Sequence, residues 1–179
     1  MIILIGPSAS GKTEVAKELV RKYGYHKVIT YTTRSMRIKE KDGIDYHFIS
    51  LVSFSQKIEE GFFFEHVFYN GNFYGTAKAD LDDKSVVILE PKGFLAYEEK
   101  KAENIVSFFL DSTEEKRRLR MKERKDDEMK IEERILNDRK TFDTASVQDV
   151  DYILNSSDLS ICELSKEVDN LYRRKIKEA

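Results

Sequence analysis

The sequence of 179 residues lacks several features that would settle a protein's class at once. It has one cysteine, Cys162, so no internal disulfide can form; the expected role for it is a small buried apolar residue in a reducing compartment. Its three histidines, His26, His47 and His66, share no metal-ligand spacing, so no structural zinc is expected. No apolar run is long enough to span a bilayer, and the run at the N-terminus is four residues, too short for a secretory signal. The expectation is therefore a cytoplasmic protein without a membrane partner. Neither sign of charge is in excess: 31 Lys and Arg stand against 33 Asp and Glu, a net charge of -2, which gives no global pull toward nucleic acid. Repeats, low-complexity tracts and Pro/Gly-rich linkers are missing too. The length fits one well-buried domain, 1–179, with room for an inserted subdomain.

What is present is charge and alternation. Charged residues make up 36% of the chain, which suits long solvated helices around a modest core. Apolar segments at 2–5, 27–30, 85–90, 105–110 and 151–155 read as strands. Helical patterns follow most of them, at 13–23, 94–101, 114–124, 131–142 and 161–176. Such alternation predicts an α/β fold, a parallel sheet wrapped by helices. Two helix starts carry a capping box, Ser112 with Glu115 and Ser160 with Glu163. Two stretches break the alternation. Residues 31–83 contain a strand at 46–49, a short helix at 51–60 and the run FFFEHVFYNGNFYG, two aromatic-rich strands joined by a turn at Asn70 and Gly71. Residues 124–130, RKDDEMK, form a polar interruption between two helical stretches. The core is expected at 1–30, 84–123 and 131–179.

The stretch GPSASGKT, residues 6–13, fits G-x-x-x-x-G-K-[ST] at every fixed position. It follows a buried-strand pattern and opens a helix, the context that puts phosphates at a helix N-terminus. Gly6, Pro7, Ser8, Ala9, Ser10 and Gly11 would offer backbone N–H groups, Lys12 a charge at the outer phosphates, and the Thr13 hydroxyl a ligand for magnesium. The chain is expected to hold a nucleoside triphosphate.

The receiver of the last phosphate is sought in the two breaks. YTTRSMR places Arg34 and Arg37 three apart, and DGIDYHF brings Tyr46. Two arginines and two tyrosines can grip a second phosphate, the arginines bidentately. Glu65, set among phenylalanines, needs a donor partner or water. The run EEKRRLRMKERKDDE reads first as a solvated charged helix, and for Arg117, Arg118 and Lys122 solvation is the expectation.

GPSASGKT, TTRSMR, DGIDYHF and GNFYGT, in this order and at close to family spacing, resemble guanylate kinase, and the resemblance runs to DYILN near the C-terminus. It implies transfer of the terminal phosphate of ATP to GMP or dGMP with Mg2+, on a P-loop-type parallel sheet carrying an NMP-binding α+β insertion at 31–83 and a short lid at 124–130. By resemblance, Arg34, Arg37, Tyr46 and Tyr74 hold the GMP phosphate. Thr30, Glu65 and Thr76 match positions that read the guanine. Arg120, Arg124 and Arg134 match lid and hinge arginines around the transferring group, and Asn155 matches a position near the adenine. The family's Asp-x-Asp after the insertion stands here as Ile88 and Glu90, with Glu90 able to serve magnesium's water shell or the guanine side. Met36, Ile38 and Lys39 replace proline and glycine, the helical stretch after Thr76 is short, and the lid reads Arg124-Lys125-Asp126-Asp127-Glu128 in place of Arg-Gly-Thr-Glu. A kinase with another phosphorylated acceptor, such as another nucleoside monophosphate or a sugar phosphate, and a non-catalytic interaction module stay open as alternatives. The partners expected are ATP and GMP, on a monomer or a homodimer.

Overall fold

Ile2–Ile5 (β1) is buried at all four positions. A strand buried on both faces needs a parallel sheet covered from both sides, and the surrounding chain supplies one. In the computed structural model, residues 1–38, 40–69, 71–89, 91–99, 104–142 and 149–178 are described. Their central sheet runs in the order β2 (His26–Lys27), β7 (Ser85–Ile88), β1, β8 (Val106–Asp111), β9 (Tyr152–Asn155). Every pairing in it is parallel. Ile3 lies between Val87 and Ser107, and Phe108 faces Tyr152.

The period of two along β1 sorts its side chains into two cores. Ile2 and Leu4 join Val15, Ala16 and Leu19 of α1 (Lys12–Tyr23) and Leu164, Val168 and Tyr172 of α6 (Ile161–Glu178). Ile3 and Ile5 face the other way, onto Val87 and onto Phe94 and Tyr97 of α3 (Pro91–Glu99). The strands and helices expected from sequence are present with their ends displaced by a few residues. The second strand is the most shortened: it covers His26–Lys27, after which Val28 N still donates to Val86 O (2.9 Å) before the chain leaves the sheet.

The inserted stretch forms a second sheet in the order β4 (His47–Phe48), β3 (Tyr31–Thr32), β6 (Asn72–Ala77), β5 (Phe63–Tyr69), with α2 (Leu51–Glu59) beside it. Gly75 is required there. A Cβ would stand 2.9 Å from the Phe63 ring and 3.0 Å from that of Phe54, which stack over it with centroids 4.5 Å apart. Asn70 of the expected turn lies outside the described residues, while Gly71 takes the left-handed conformation (φ 77°) such a turn uses. After β6 the helical stretch is a single 3-10 turn, Lys78–Asp80.

Between β8 and β9 stands a helical hairpin, α4 (Glu114–Glu123) and α5 (Glu128–Thr141). The polar interruption expected at 124–130 is narrower, because Asp127 caps α5 by accepting from Lys130 N (3.2 Å) and so starts the helix at Glu128. Three further corrections concern single residues. The cap of α4 is Thr113, accepting from Lys116 N (3.3 Å), rather than Ser112, whereas the Ser160–Glu163 box forms reciprocally. Cys162 is exposed, because it lies off the Leu164–Val168–Leu171 stripe that α6 buries. Arg117 is 4% exposed, for a reason found at the phosphate loop.

Candidate active site

The loop after β1 turns where only glycine fits. Gly6 has φ 149°, and a Cβ would stand 2.7 Å from Leu110 O on β8. The loop therefore leaves the sheet pressed against the neighbouring strand, at the carboxyl ends of the strands where α/β sheets place ligands. Ala9 (φ 60°) and Gly11 (φ 106°) take left-handed conformations, and α1 begins at Lys12. Lys12 Nζ donates to Gly6 O and to Pro7 O (2.9 Å), folding its charge over the loop. Thr13 is exposed in the first turn of α1. The described residues hold no group of three His, Cys, Asp or Glu that could cage a metal. A lone hydroxyl would suit a magnesium ion that takes its other oxygens from phosphate and water.

The hairpin grips the outer side of this loop. Ala9 packs on Met121, Ile131 and Ile135. Arg120 Nη1 donates to Ala9 O (3.1 Å) and its Nη2 to Ser156 O (2.5 Å). Burial first, and then Arg124, push the Arg120 guanidinium below its ordinary value. Ser8 donates through its backbone N (3.0 Å) and its Oγ (3.2 Å) to Asp138, and Asp138 in turn accepts from Arg117 Nη1 (2.5 Å). Arg117 is thus the buried countercharge of the carboxylate that fastens the loop. The solvated reading failed because a single residue in a charged helix gives no sign of which face meets the loop. Arg118 does pair at the surface with Glu132, and Lys122 is 62% exposed. Arg134 donates to Asp126 (2.8 Å) within the hairpin. Gly11, Glu14, Arg120, Arg124, Ser157 and Ile161 line part of a cavity of about 580 Å³ beside the loop, a volume within the range of small-ligand sites. Asn155, at the end of β9, turns to its own loop, donating to Asp158 Oδ2 (2.8 Å) and accepting from Ser157 N.

Arg34, Arg37, Tyr46 and Tyr74 converge on the second sheet. Thr32 Oγ1 accepts from Arg34 N (3.1 Å) and so fixes where Arg34 leaves β3. The Arg34 guanidinium lies 5.3 Å from the Tyr46 ring centre, and the Tyr46 and Tyr74 centroids are 6.1 Å apart. Its fork is engaged by a carboxylate: Nη1 and Nη2 donate to the two oxygens of Glu40 at 3.0 and 2.8 Å, and Arg37 N donates to Glu40 at 2.8 Å. Glu40 is a residue the sequence reading passed over. Its signal was its place three after Arg37. Arg37 itself is pushed below its ordinary value by burial, then by Arg34 and by Arg134 of α5.

Glu65 is 5% exposed and accepts from Thr76 Oγ1 at 2.7 Å. A register shift between Phe63 and Glu65 puts the extra residue of a β-bulge in β5. Phe63 therefore packs on Phe54 and α2, while Phe64 meets Tyr97 of α3 and Glu65 lies 3.6 Å from where a Gly93 Cβ would stand, at the start of that helix. The bulge is what turns a carboxylate in an aromatic run toward the start of α3. Thr30 is 9% exposed on the stretch between β2 and β3, where its carbonyl accepts from His47 N (2.9 Å). Glu90 lies outside the described residues.

A family model described as Guanylate kinase matches residues 1–171. The guanylate kinase of Anaplasma phagocytophilum (strain HZ) is 30% identical over 97% of this chain and 85% of its own length. That of Prochlorococcus marinus subsp. pastoris is 33% identical over 94% of each chain. A crystal structure of the guanylate kinase from Anaplasma phagocytophilum superposes with a TM-score of 0.70 over 98% of this chain and 85% of its own, at 21% identity, and shares the α/β fold.

Proposed function

The chain belongs to the guanylate kinase family, and we propose that its phosphate loop, second sheet and helical hairpin divide between them the transfer of the terminal phosphate of ATP to GMP, giving ADP and GDP. The observation that carries this division is the Arg34–Glu40 fork. It is a built anion grip, bidentate and flanked by Tyr46, well apart in sequence from the phosphate loop. A nucleoside triphosphate hydrolase has no need of a second grip; a phosphotransferase does.

In this reading the Gly6–Gly11 backbone and Lys12 take the phosphates of ATP, and the cavity beside Gly11, Arg120 and Arg124 takes its nucleoside, with Asn155 near the adenine. Thr13 would hold magnesium, which neutralises phosphate charge in such transfers. Arg34, Arg37, Tyr46 and Tyr74 hold the acceptor phosphate, and the two parallel donors with which Arg34 grips Glu40 have the spacing a phosphate needs. Glu65, Thr76 and Thr30 read the base. Arg120, Arg124 and Arg134 stabilise the charge of the group in flight, since little covalent chemistry is asked of the protein beyond positioning and charge. Residues 31–83 act as the acceptor-binding unit and the turn at 124–127 as the lid. The described residues hold no helix long and apolar enough to cross a membrane, and we assign the reaction to the cytoplasm. ADP release with ATP and magnesium is to be measured against GMP, dGMP, AMP, UMP, CMP and dTMP. GMP as best acceptor supports the reading, and a different best acceptor refutes it.

A further inference from the structure

Asp126 and Arg134 are bonded at the tip of the helical hairpin. Arg134 Nη1 donates to Asp126 Oδ2 at 2.8 Å, and the two side chains are only 28% and 25% exposed. The tip departs from the Arg-Gly-Thr-Glu pattern, and each departure has a place in the fold. Lys125 takes the left-handed conformation (φ 60°) at a helix end, where glycine is usual. Its N donates to Lys122 O (2.8 Å), and Asp126 N donates to Met121 O (3.1 Å). These two bonds end α4 and fix the backbone of Asp126. Asp127 caps α5, so the Asp126 carboxylate is not needed as the cap.

Arg134 lies on the face of α5 that meets the phosphate loop. It stands three residues after Ile131 and four before Asp138, spacings that make the three neighbours on the helix surface. Ile131 packs with Met121 on Ala9, and Asp138 accepts from Ser8 N at 3.0 Å. The neighbours of Arg134 on both sides therefore touch the loop. Helical side chains lean toward the start of their helix, and Asp126, eight residues earlier, meets Arg134 there. The bond takes one end of the guanidinium. Among the described residues its Nε and Nη2 donate to nothing, and that edge suits two oxygens of a phosphoryl group.

We propose that Asp126 is a positioning residue for phosphoryl transfer: it holds the Arg134 guanidinium beside the phosphate loop with one edge left for the group in flight. The proposal rests on Arg134 stabilising that group, as argued above. An unrestrained arginine spreads over many rotamers, and ordering it during the reaction slows transfer. Asp126 orders it beforehand. The charge of Asp126 works the other way, since a carboxylate beside Arg134 weakens its field at a phosphate. The pair is partly exposed, so water screens that effect at a distance, whereas the hydrogen bond acts at contact.

The test is the rate of transfer from ATP to GMP in single turnovers, with the full chain in excess over ATP, alongside steady-state KM values. Asp126→Ala should slow transfer roughly tenfold, with KM for ATP and for GMP held. Asp126→Asn keeps an oxygen acceptor without the charge, and it should recover most of the lost rate. Adding Asp126→Ala to Arg134→Ala should bring no further loss, since the carboxylate acts through the arginine. Transfer by Asp126→Ala at or above the parent rate, an Asp126→Asn variant as slow as Asp126→Ala, or an additive double variant would each overturn the proposal. So would a lower melting temperature with equal rises in both KM values, the mark of a merely structural role. Arg134→Ala separates the two levels. If it slows transfer while Asp126→Ala does not, the reading of Arg134 stands and this inference alone fails. If Arg134→Ala transfers at the parent rate, that reading is wrong and this inference falls with it.

Discussion

Arg117 Nη1 donates to Asp138 Oδ2 at 2.5 Å, in a pair exposed by only 4% and 5%. The pair links the two helices of the hairpin, and Asp138 spends its remaining capacity on the backbone and side chain of Ser8 in the phosphate loop. A charge in the hairpin is thereby made part of the loop's shape. Asp138→Ala leaves Arg117 buried without its counterion, a defect worth about 3–5 kcal/mol of unfolding free energy. Urea denaturation should show that loss, and KM for ATP should rise as Ser8 is released. A loss under 1 kcal/mol (about the worth of an exposed pair) would contradict the burial argument.

Lys12 bonds to carbonyls of its own loop, Gly6 O and Pro7 O. Lys12→Ala should stay folded, because the role we propose for it is charge at the outer phosphates. Turnover should fall by about two to three orders of magnitude, the usual cost of losing one such electrostatic group. A folded variant of near-normal turnover would remove the loop lysine from the mechanism.

Arg34 offers Glu40 two parallel N–H donors. Although burial pushes the Glu40 carboxyl up, hydrogen bonds from Arg34 and the Arg37 backbone hold it below its ordinary value of 4.5. A carboxyl depressed in the folded state contributes stability that is fully present above its unfolded value and is lost as pH falls through the folded one. The stability difference between the parent chain and Glu40→Gln should therefore be steady at neutral pH and shrink on acidification below about pH 4.5. Unfolding titrations across that range check the sign; a difference that grows on acidification would contradict it. Arg34→Lys should raise KM for GMP about tenfold or more with KM for ATP held, since an ammonium cannot form the fork.

The proposed acceptor grip stands on the second sheet and Arg120, Arg124 and Arg134 on the hairpin, so in this reading neither completes the site alone. With a bisubstrate analogue bound, the two should close on the core. X-ray scattering should report a smaller radius of gyration than for the free chain, and an unchanged radius would count against closure.

Much of this was legible in the sequence because it depends on short range. The phosphate loop is a contiguous pattern between a strand and a helix, and the two cores follow from period two in Ile2–Ile5 and period 3.6 in α1 and α6. What was hidden depends on distant pairing. Asp138 meets the loop across 130 residues of chain, and Arg117 is tied to it only through Asp138, so the charged helix alone suggested solvent for Arg117. Glu65 announced itself as a charge among aromatics, but the bulge that aims it is a property of its pairing with β6. Thr113 displaced Ser112 as a cap because both can cap and the boundary is settled by where β8 ends.

The central claim is that a buried carboxylate reads the acceptor base. Glu65 accepts from Thr76 at 2.7 Å and is 5% exposed. Guanine presents N1–H and N2–H2 to such a group, while adenine presents the bare acceptor N1, which would face its lone pairs. A site built to bond one polar edge rejects the wrong edge by about 10⁴-fold or more. The direct measurement is competition, with equal GMP and AMP and limiting ATP, for the parent chain and for Glu65→Gln. The account predicts one GDP for nearly every ATP consumed by the parent, with its ADP coming from ATP and almost none from AMP, and an eroded preference in the variant, through weaker use of GMP. Comparable formation of ADP from AMP by the parent, or a preference that Glu65→Gln leaves untouched, would contradict it.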